Sequence, residues 1–421
     1  MDRVILHADF DSFFASCEQH FNPNLRDKPI GVTAENGRTC IIAASKEAKK
    51  FGIKTGSRTW EAEQVCPQIQ YVKGDFDRYL HITKKFVEIA SSFSPLVEVF
   101  SLDEVFIDMS STLHLFQGDI HSIVQKFKKQ VADEISPITT VSVGISYNKL
   151  LAKLASGLNK PDGFMIIDRN NLDSIYKNTE LTDICGIGER LKRRLNMLGV
   201  YTLLQLRNYP PRLLKKEFGN VCSQSLLSYA WAQDDSAVHS FLEEQDAKSV
   251  GRNYCLPKNE EDQKKVLQIL SELSEEVGRR LRLINKKGRT ISLYLSGEKA
   301  MGGRKTISSY TNTGKDIMRV VKLFLEEWGW NDTRAEYGRS MVRQIHLSVG
   351  NLIDEKYSNL GLFEDPREEV LNHVTDRLNE RFGTHTVRKG YVIDAPKLRT
   401  KPNGFFGDKS FYFPYLNPQQ T

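Results

Sequence analysis

No stretch of the 421-residue chain holds the roughly 18–20 consecutive apolar residues that a membrane span requires. The N-terminal apolar run 4–8 stops at Asp9 and lacks the length and cleavage site of a secretory signal. Cysteine is sparse. The six present (Cys17, Cys40, Cys66, Cys185, Cys222, Cys255) are scattered, with no CxxC pair and no neighbouring histidine cluster. That excludes a disulfide framework and a structural zinc site, and implies reduced thiols in a cytoplasmic protein. Low-complexity segments are absent too. With 27% charged and 10% aromatic residues the composition is that of a soluble globular protein, too long for one core, so several domains are expected.

Charge of neither sign dominates: the net formal charge is +6. Its distribution says more. Residues 246–352 hold 20 lysines and arginines against 13 acids, so this segment alone carries a surplus of +7. A concentrated basic surplus is the footprint of a module that meets a polyanion.

Hydrophobic periodicity organises the rest. Residues 4–8 read as a strand, and 10–20 as a turn entering a helix. A short strand over 39–44 precedes a helix over 46–51 that Gly52 stops. Residues 78–93 carry apolar side chains at helical spacing and end before Pro95. Two β-rich runs, 97–100 and 105–108, flank the tight tip Ser101-Leu102-Asp103-Glu104, a hairpin with acids at its turn. A helix over 119–135, a strand over 140–146 and a helix over 148–158 follow. This order fits a split βαβ, ferredoxin-like sheet, interrupted after its first strand by an inserted segment, 24–74. A helical block spans 171–232, and 233–247 is a polar linker. The basic module, 248–352, alternates strands and helices. In the last segment a helix begins at Pro366 after Asp365 as N-cap. It lines up Val370, Leu371, Val374, Leu378 and Phe382 on one face and closes at Gly383.

The chemistry lies in three acids. Asp9 ends the first strand, and Asp103 and Glu104 occupy the hairpin tip. In a split βαβ sheet those strands are neighbours, so the three carboxylates can meet at one sheet end. Nucleotidyl transfer requires such a set: two Mg²⁺ ions about 3.5–4 Å apart activate an attacking 3′-oxygen and neutralise the leaving pyrophosphate. Magnesium takes hard oxygen ligands and keeps positions for water and phosphate. Asp11 is a further candidate.

The runs Asp9-Phe10-Asp11-Ser12-Phe13-Phe14-Ala15 and Ser101-Leu102-Asp103-Glu104 resemble, in order and separation, the motifs of the Y-family translesion DNA polymerases of the DinB and UmuC type. The resemblance covers about 4–352. It implies an α+β multidomain protein: a ferredoxin-like palm (1–23 and 75–168), inserted fingers (24–74), a helical thumb with a helix–hairpin–helix (169–235), a linker (236–247), an α/β little finger that binds DNA (248–352) and a C-terminal tail (353–421). It further implies a low-fidelity, template-directed polymerase that extends a primer across damaged template without proofreading; no second acidic cluster offers an exonuclease. Asp9 and Asp103 would bind two Mg²⁺ ions, with Glu104 and the Phe10 carbonyl completing the set. Phe14, beside Phe13, would be the gate that rejects ribonucleotides by clashing with a 2′-hydroxyl.

Ala44-Ser45-Lys46-Glu47-Ala48-Lys49-Lys50-Phe51-Gly52 resembles the family's triphosphate motif, with Lys46 where tyrosine is common and Lys49 where arginine is common. A lysine neutralises phosphate as a point charge without arginine's fork. Lys160, in Asn159-Lys160-Pro161-Asp162-Gly163, matches a second triphosphate lysine. The segment 181–191 reads as a helix–hairpin–helix: Gly186 and Gly188 permit the turn, Ile187 packs between the helices, and the next helix N-terminus with Lys192 faces phosphate. In the basic module, Arg252, Lys286, Lys287, Arg289, Arg304 and Lys305 are candidate phosphate contacts.

Asn359-Leu360-Gly361-Leu362-Phe363 resembles the peptide by which such polymerases dock on the sliding clamp, Leu362 and Phe363 entering a hydrophobic pocket. The expected partners are primer–template DNA, deoxynucleoside triphosphates, the clamp and a UmuD-like accessory subunit, and no membrane. Two other readings share the scaffold: a palm-type nucleotide cyclase, which would need neither the helix–hairpin–helix nor the basic module, and a non-catalytic DNA-binding relative.

Overall fold

The structure is a computed structural model that describes residues 3–34, 40–116, 118–243, 246–330, 340–358, 366–383, 385–393 and 398. The chain forms two compact units that part at residues 244–245.

The first unit opens with β1 (Ile5–Phe10), whose residues are almost all buried. Side chains alternate along a strand. Leu6, Ala8 and Phe10 therefore join one core, while Ile5 joins a second, smaller one on the other face, the face shared by His7 and Asp9. A left-handed turn at Ser12 (φ 53°) leads into α1 (Phe13–Phe21). Then come β2 (Ile30–Thr33), β3 (Ile41–Ala44), the single-turn α2 (Lys46–Lys49), α3 (Thr59–Val65) and β4 (Gln70–Lys73). These three strands make a separate sheet in the order β3-β2-β4, so the inserted segment brings its own small sheet. The helix α2 is shorter than the expected 46–51, and a turn at Phe51–Gly52, with Gly52 at φ +80°, ends it.

α4 (Phe76–Ser91) starts at Asp75, whose carboxylate accepts from the amides of Asp77 and Arg78. β5 (Val97–Val99), β6 (Glu104–Asp108), α5 (Ile120–Glu134), β7 (Val141–Ser146), α6 (Lys149–Leu158) and β8 (Phe164–Ile166) complete the main sheet, in the order β5-β6-β1-β7-β8. Strands β7-β1-β6-β5 follow the split βαβ plan, with β1 antiparallel to both neighbours. Phe10, Phe86 and Phe127 tie β1 to α4 and α5, with ring centroids 4.3 and 5.8 Å apart. Each such buried ring contributes ~1.5–3 kcal/mol. On the other face α6 lies very close to β7. A Cβ at Gly144 would sit 2.2 Å from the Ala152 carbonyl, so only glycine admits the helix there.

A helical block follows: α7 (Leu172–Asn178), α8 (Glu189–Met197), α9 (Leu203–Asn208), α10 (Pro211–Phe218) and α11 (Asn220–Ala230). The stretch expected to be a linker is instead fastened to the main sheet at residues 238–241. The amide of Phe241 donates to the Val97 carbonyl (2.8 Å), that of His239 to Glu98 (3.1 Å), and Val238 is buried. The backbone makes these bonds, while most of the segment's polar side chains stay exposed.

The second unit contains β9 (Ser249–Glu260), α12 (Gln263–Leu283), β10 (Lys286–Gly297), β11 (Ala300–Thr311), α13 (Gly314–Glu327) and β12 (Val342–Asp354), with the sheet ordered β11-β10-β12-β9. Ile291, Leu293 and Leu295 alternate inward, as do Ile345, Leu347 and Val349. They meet Leu270, Leu273 and Val277 of α12 in one core. β12 runs two residues past the boundary expected at 352. The helix α14 (Pro366–Phe382) forms where expected, with its apolar stripe turned outward. Val370, Leu371 and Phe382 are more than 60% exposed, and the polar face is inward, held by Arg282 to Asp376 (2.6 Å) and Lys315 to Glu368 (2.8 Å).

Candidate active site

The site grows out of two strand ends. The β1–β6 register sets Asp9 directly opposite Glu104, and His7 opposite Phe106. Period-2 alternation puts Asp9, His7 and Glu104 on one face, and ligand atoms of these three residues lie within 4.8 Å of one another. Asp103 is the last residue of the hairpin turn. Its carbonyl accepts from the Phe10 amide (2.9 Å), and its carboxylate accepts from the Ser101 hydroxyl. Glu104, expected at the tip, is the first residue of β6 and is nearly buried.

A cavity of about 230 Å³ opens here, lined by Asp9, Phe10, Ser12, Phe13, Phe14, Ile42, Ala43, Ala44, Lys49, Thr55, Asp103 and Lys160. It joins the main sheet to the inserted segment. Phe13 is core, stacked on Phe10 at 5.0 Å. Phe14 is half-buried on the cavity wall and stacks on Tyr79, ring centroids 4.6 Å apart. Tyr79 is itself pinned, donating to Glu18 at 2.5 Å. The buried Ser12 hydroxyl on the same wall has no hydrogen-bond partner among the described residues, so the cavity offers a donor to whatever enters.

The electrostatics differ among the acids. Burial pushes the Asp9 carboxyl above the usual range, opposed by Lys160, whose ammonium donates to Asp9 at 2.5 Å. Burial also raises Asp103, against the hydrogen bond from Ser101. Glu104 goes the other way. Burial alone would raise it, yet His7 and Lys153 hold it down at about 2. Lys49 is lowered by burial and then by the nearby charge of Lys160. Buried carboxylates lifted toward protonation are groups that a cation would relieve. Asp9 and Glu104 bring carboxylate oxygens within 4.8 Å of each other and of a His7 ring nitrogen that already lies against Glu104, and the Asp103 carboxylate lines the same cavity. Those carboxylate oxygens fit a hard divalent ion.

Two expected site residues lie elsewhere. Lys46 does not line the cavity. Its ammonium donates to the Thr140 hydroxyl (2.8 Å), which in turn donates to Asp11 (2.7 Å). Asp11 is spoken for as well, accepting from Ser142 (2.8 Å) and the Asp162 amide (2.7 Å), so it anchors the Lys160 loop to β7. Sequence reading missed His7, Lys153 and Ser12. A polar residue inside an apolar strand, two positions before Asp9, was the signal for His7.

Away from the cavity, Gly186 has φ +114° and faces the Tyr229 hydroxyl, Ile187 is buried, and Gly188 caps α8. Lys192 turns back to Glu180 (2.6 Å). In the second unit Arg252 is buried on β9. Lys286 pairs with Asp246 and Asp354 (2.7 and 2.6 Å), Lys287 lies 3.6 and 3.7 Å from Glu355 and Glu369, and Lys305 pairs with Glu327. Arg289 lies over the Tyr310 ring, and Arg304 is exposed. The motif Asn359, Leu360, Leu362, Phe363 lies outside the described residues. Among the described residues no helix is long and apolar enough to cross a membrane.

Comparison with known proteins gives the family of the chain. Residues 8–157 match the impB/mucB/samB family and residues 247–362 its C-terminal domain. The chain is 32% identical to a DNA polymerase IV of Acetivibrio thermocellus over 93% of its own length and 98% of the relative's. It is 34% identical to that of Pelotomaculum thermopropionicum over 92% and 95%. A solved Y-family DNA polymerase chimera superposes with a TM-score of 0.69 at 26% identity, covering 83% of this chain and 99% of the other. With acids at two adjoining strand ends and relatives matched along nearly their whole length, the chain belongs to the Y-family DNA polymerases of the DinB and UmuC type and is a nucleotidyl-transferring enzyme.

Proposed function

We propose that the chain extends a primer across damaged template by two-metal nucleotidyl transfer, at low fidelity and without proofreading. The observation that carries this is the cavity itself: Asp9 and Asp103 share its wall with Phe14, Lys49 and Lys160, and Glu104 lies beside Asp9. Asp9, Asp103 and Glu104, with the Phe10 carbonyl, would hold two Mg²⁺ ions. When bound, these supply the Lewis acidity that activates the 3′-oxygen and neutralises pyrophosphate.

The chain's own groups do the rest. Lys49 and Lys160 present ammonium groups to the triphosphate; Lys160 leaves Asp9 as it engages phosphate, an exchange of one oxyanion for another. Phe14, braced by Tyr79, lies under the incoming sugar and leaves no room for a 2′-hydroxyl. The turn at Gly186–Gly188 and the exposed cations of the second unit, Arg304 among them, grip the phosphates of primer–template without reading bases. Asn359–Phe363 would dock on a sliding clamp, and an accessory subunit of the UmuD kind is a further candidate partner.

The test is primer extension opposite an abasic site and opposite intact template. The wild-type chain is expected to add templated nucleotides in both cases. A chain that binds the recessed duplex but adds nothing, with Mg²⁺ and all four substrates supplied, would be a non-catalytic relative.

A further inference from the structure

Glu104 is held more firmly than a metal-binding carboxylate needs to be merely to sit in place. Two cations or donors reach it, and both reach the same atom. The Lys153 ammonium donates to Glu104 Oε2, and His7 Nε2 lies 3.1 Å from that oxygen. Among the described residues Oε1 takes no hydrogen bond. His7 is fully buried and is fixed at its far side by Ser156 Oγ, 2.7 Å from Nδ1; that hydroxyl lies 2.8 Å from the Lys153 carbonyl. Lys153 and Ser156 are three residues apart on α6, so they share a face one turn apart. The close approach that only Gly144 permits brings that face against β1 and β6.

We infer that Lys153, braced with His7 and Ser156, sets which divalent cation the site accepts, because it ties Glu104 down by one oxygen and leaves a single oxygen to offer. This rests on the reading that Glu104 holds a cation. Mg²⁺ takes one oxygen from each carboxylate in a tight octahedron, whereas the larger Ca²⁺ readily takes both. A carboxylate with one oxygen engaged therefore favours the smaller ion. Removing the ammonium has two effects. Loss of a nearby positive charge strengthens binding of every divalent cation alike. Loss of the tether lets both oxygens turn inward, which favours Ca²⁺ selectively. The ratio of affinities isolates the second effect, and a side chain that only stabilised the fold would leave that ratio unchanged. Lys153 is therefore a positioning residue.

The experiment uses the full chain with a primer ending in a 2′,3′-dideoxynucleotide, its template and the matching triphosphate. Bound Mn²⁺ is followed by electron paramagnetic resonance while Mg²⁺ or Ca²⁺ competes it away. Lys153→Met is expected to lower the Mg²⁺-over-Ca²⁺ preference by about tenfold, the usual scale of effects transmitted through a ligand's own partner. Lys153→Arg is expected to restore most of it. Ser156→Ala, which loosens His7 and touches no carboxylate, should shift the ratio the same way by less. An unchanged ratio in both Lys153→Met and Ser156→Ala overturns the inference. Glu104→Gln separates the two layers: if it binds Mn²⁺ as the wild type does, the metal reading of Glu104 fails. If it loses Mn²⁺ while Lys153→Met keeps the wild-type ratio, only the selectivity inference falls.

Discussion

The cavity of the first unit and the basic sheet of the second were both read from charged residues, and they fared differently. In the first, Asp9, Asp103, Lys49 and Lys160 converge on one space with Phe14. In the second, several of the cations singled out are engaged within the unit: Lys286, Lys287 and Lys305 face acids, and Arg252 is buried. The acids were located by where strands end, and strand ends are set by a pairing register that leaves little freedom. The cations were located by a sum over residues, and a sum is silent on which charges point at each other. A charge surplus speaks for attraction to a polyanion, not for any one contact.

The contrast can be tested, beginning with the largest effect. Asp103→Ala should lower single-nucleotide incorporation by ~10³-fold, since it removes charge stabilisation inside the reacting centre. Binding of primer–template, read by fluorescence anisotropy, should be unchanged. Normal extension would mean that the cavity is not where the chemistry occurs. Phe14→Ala should raise ribonucleotide incorporation by about tenfold or more, a difference in affinities built from a steric clash; equal sugar selectivity in the variant would place the gate elsewhere.

Stability should separate the two neighbouring acids by sign. Glu104 is held low, at about 2, so its charge contributes stability that is present above the unfolded value of 4.5 and lost as pH falls through about 2. Glu104→Gln should thus destabilise the fold at pH 7, by ~1–3 kcal/mol for a buried polar group left poorly matched. Asp103 is held high by burial, so its charge opposes folding above its raised value, and that penalty disappears as pH falls below 3.8. Asp103→Asn should therefore melt higher than the wild type at pH 7, and the gap should close on acidification. Melting curves followed from pH 7 down to pH 3 check both.

The smallest effect distinguishes the cations of the second unit. Arg304→Ala should weaken duplex binding by a few-fold and reduce the slope of log affinity against log salt by about one. Lys287→Ala should leave that slope unchanged, because its charge is already matched by Glu355 and Glu369. Equal slopes for the two variants would remove the distinction between exposed and spent charge.

Much of the first unit was legible because its signals are local. An apolar run ending in Asp9, a hairpin with Asp103 at its turn, and helices beginning near residues 119 and 148 all follow from hydrophobic period, and the structure shows Asp119 and Asn148 capping those two helices. The helix α14 was legible as a helix, and which way its apolar face turns was not read from the sequence. Its apolar stripe, Val370, Leu371, Val374, Leu378 and Phe382, satisfies every rule for a core-facing face, yet Arg282 and Lys315 hold the opposite side. A hydrophobic stripe states that a face can be buried. Which surface reaches it is a property of the rest of the molecule.

By itself the sequence indicated an apolar strand leading to Asp9, a hairpin with acids at its turn, and therefore that Asp9, Asp103 and Glu104 could meet at one end of a sheet. The strand and the hairpin follow from a two-residue repeat and a tight turn. The strand ends themselves, Phe10 for β1 and Glu104 as the first residue of β6, came from the packed structure. Only the tertiary structure decided the partner of each long side chain: Lys46 for Thr140, Lys153 for Glu104 and Lys160 for Asp9. A lysine ammonium swings on four methylenes and chooses among oxygens brought near by distant parts of the chain, so its partner is a property of the packed fold.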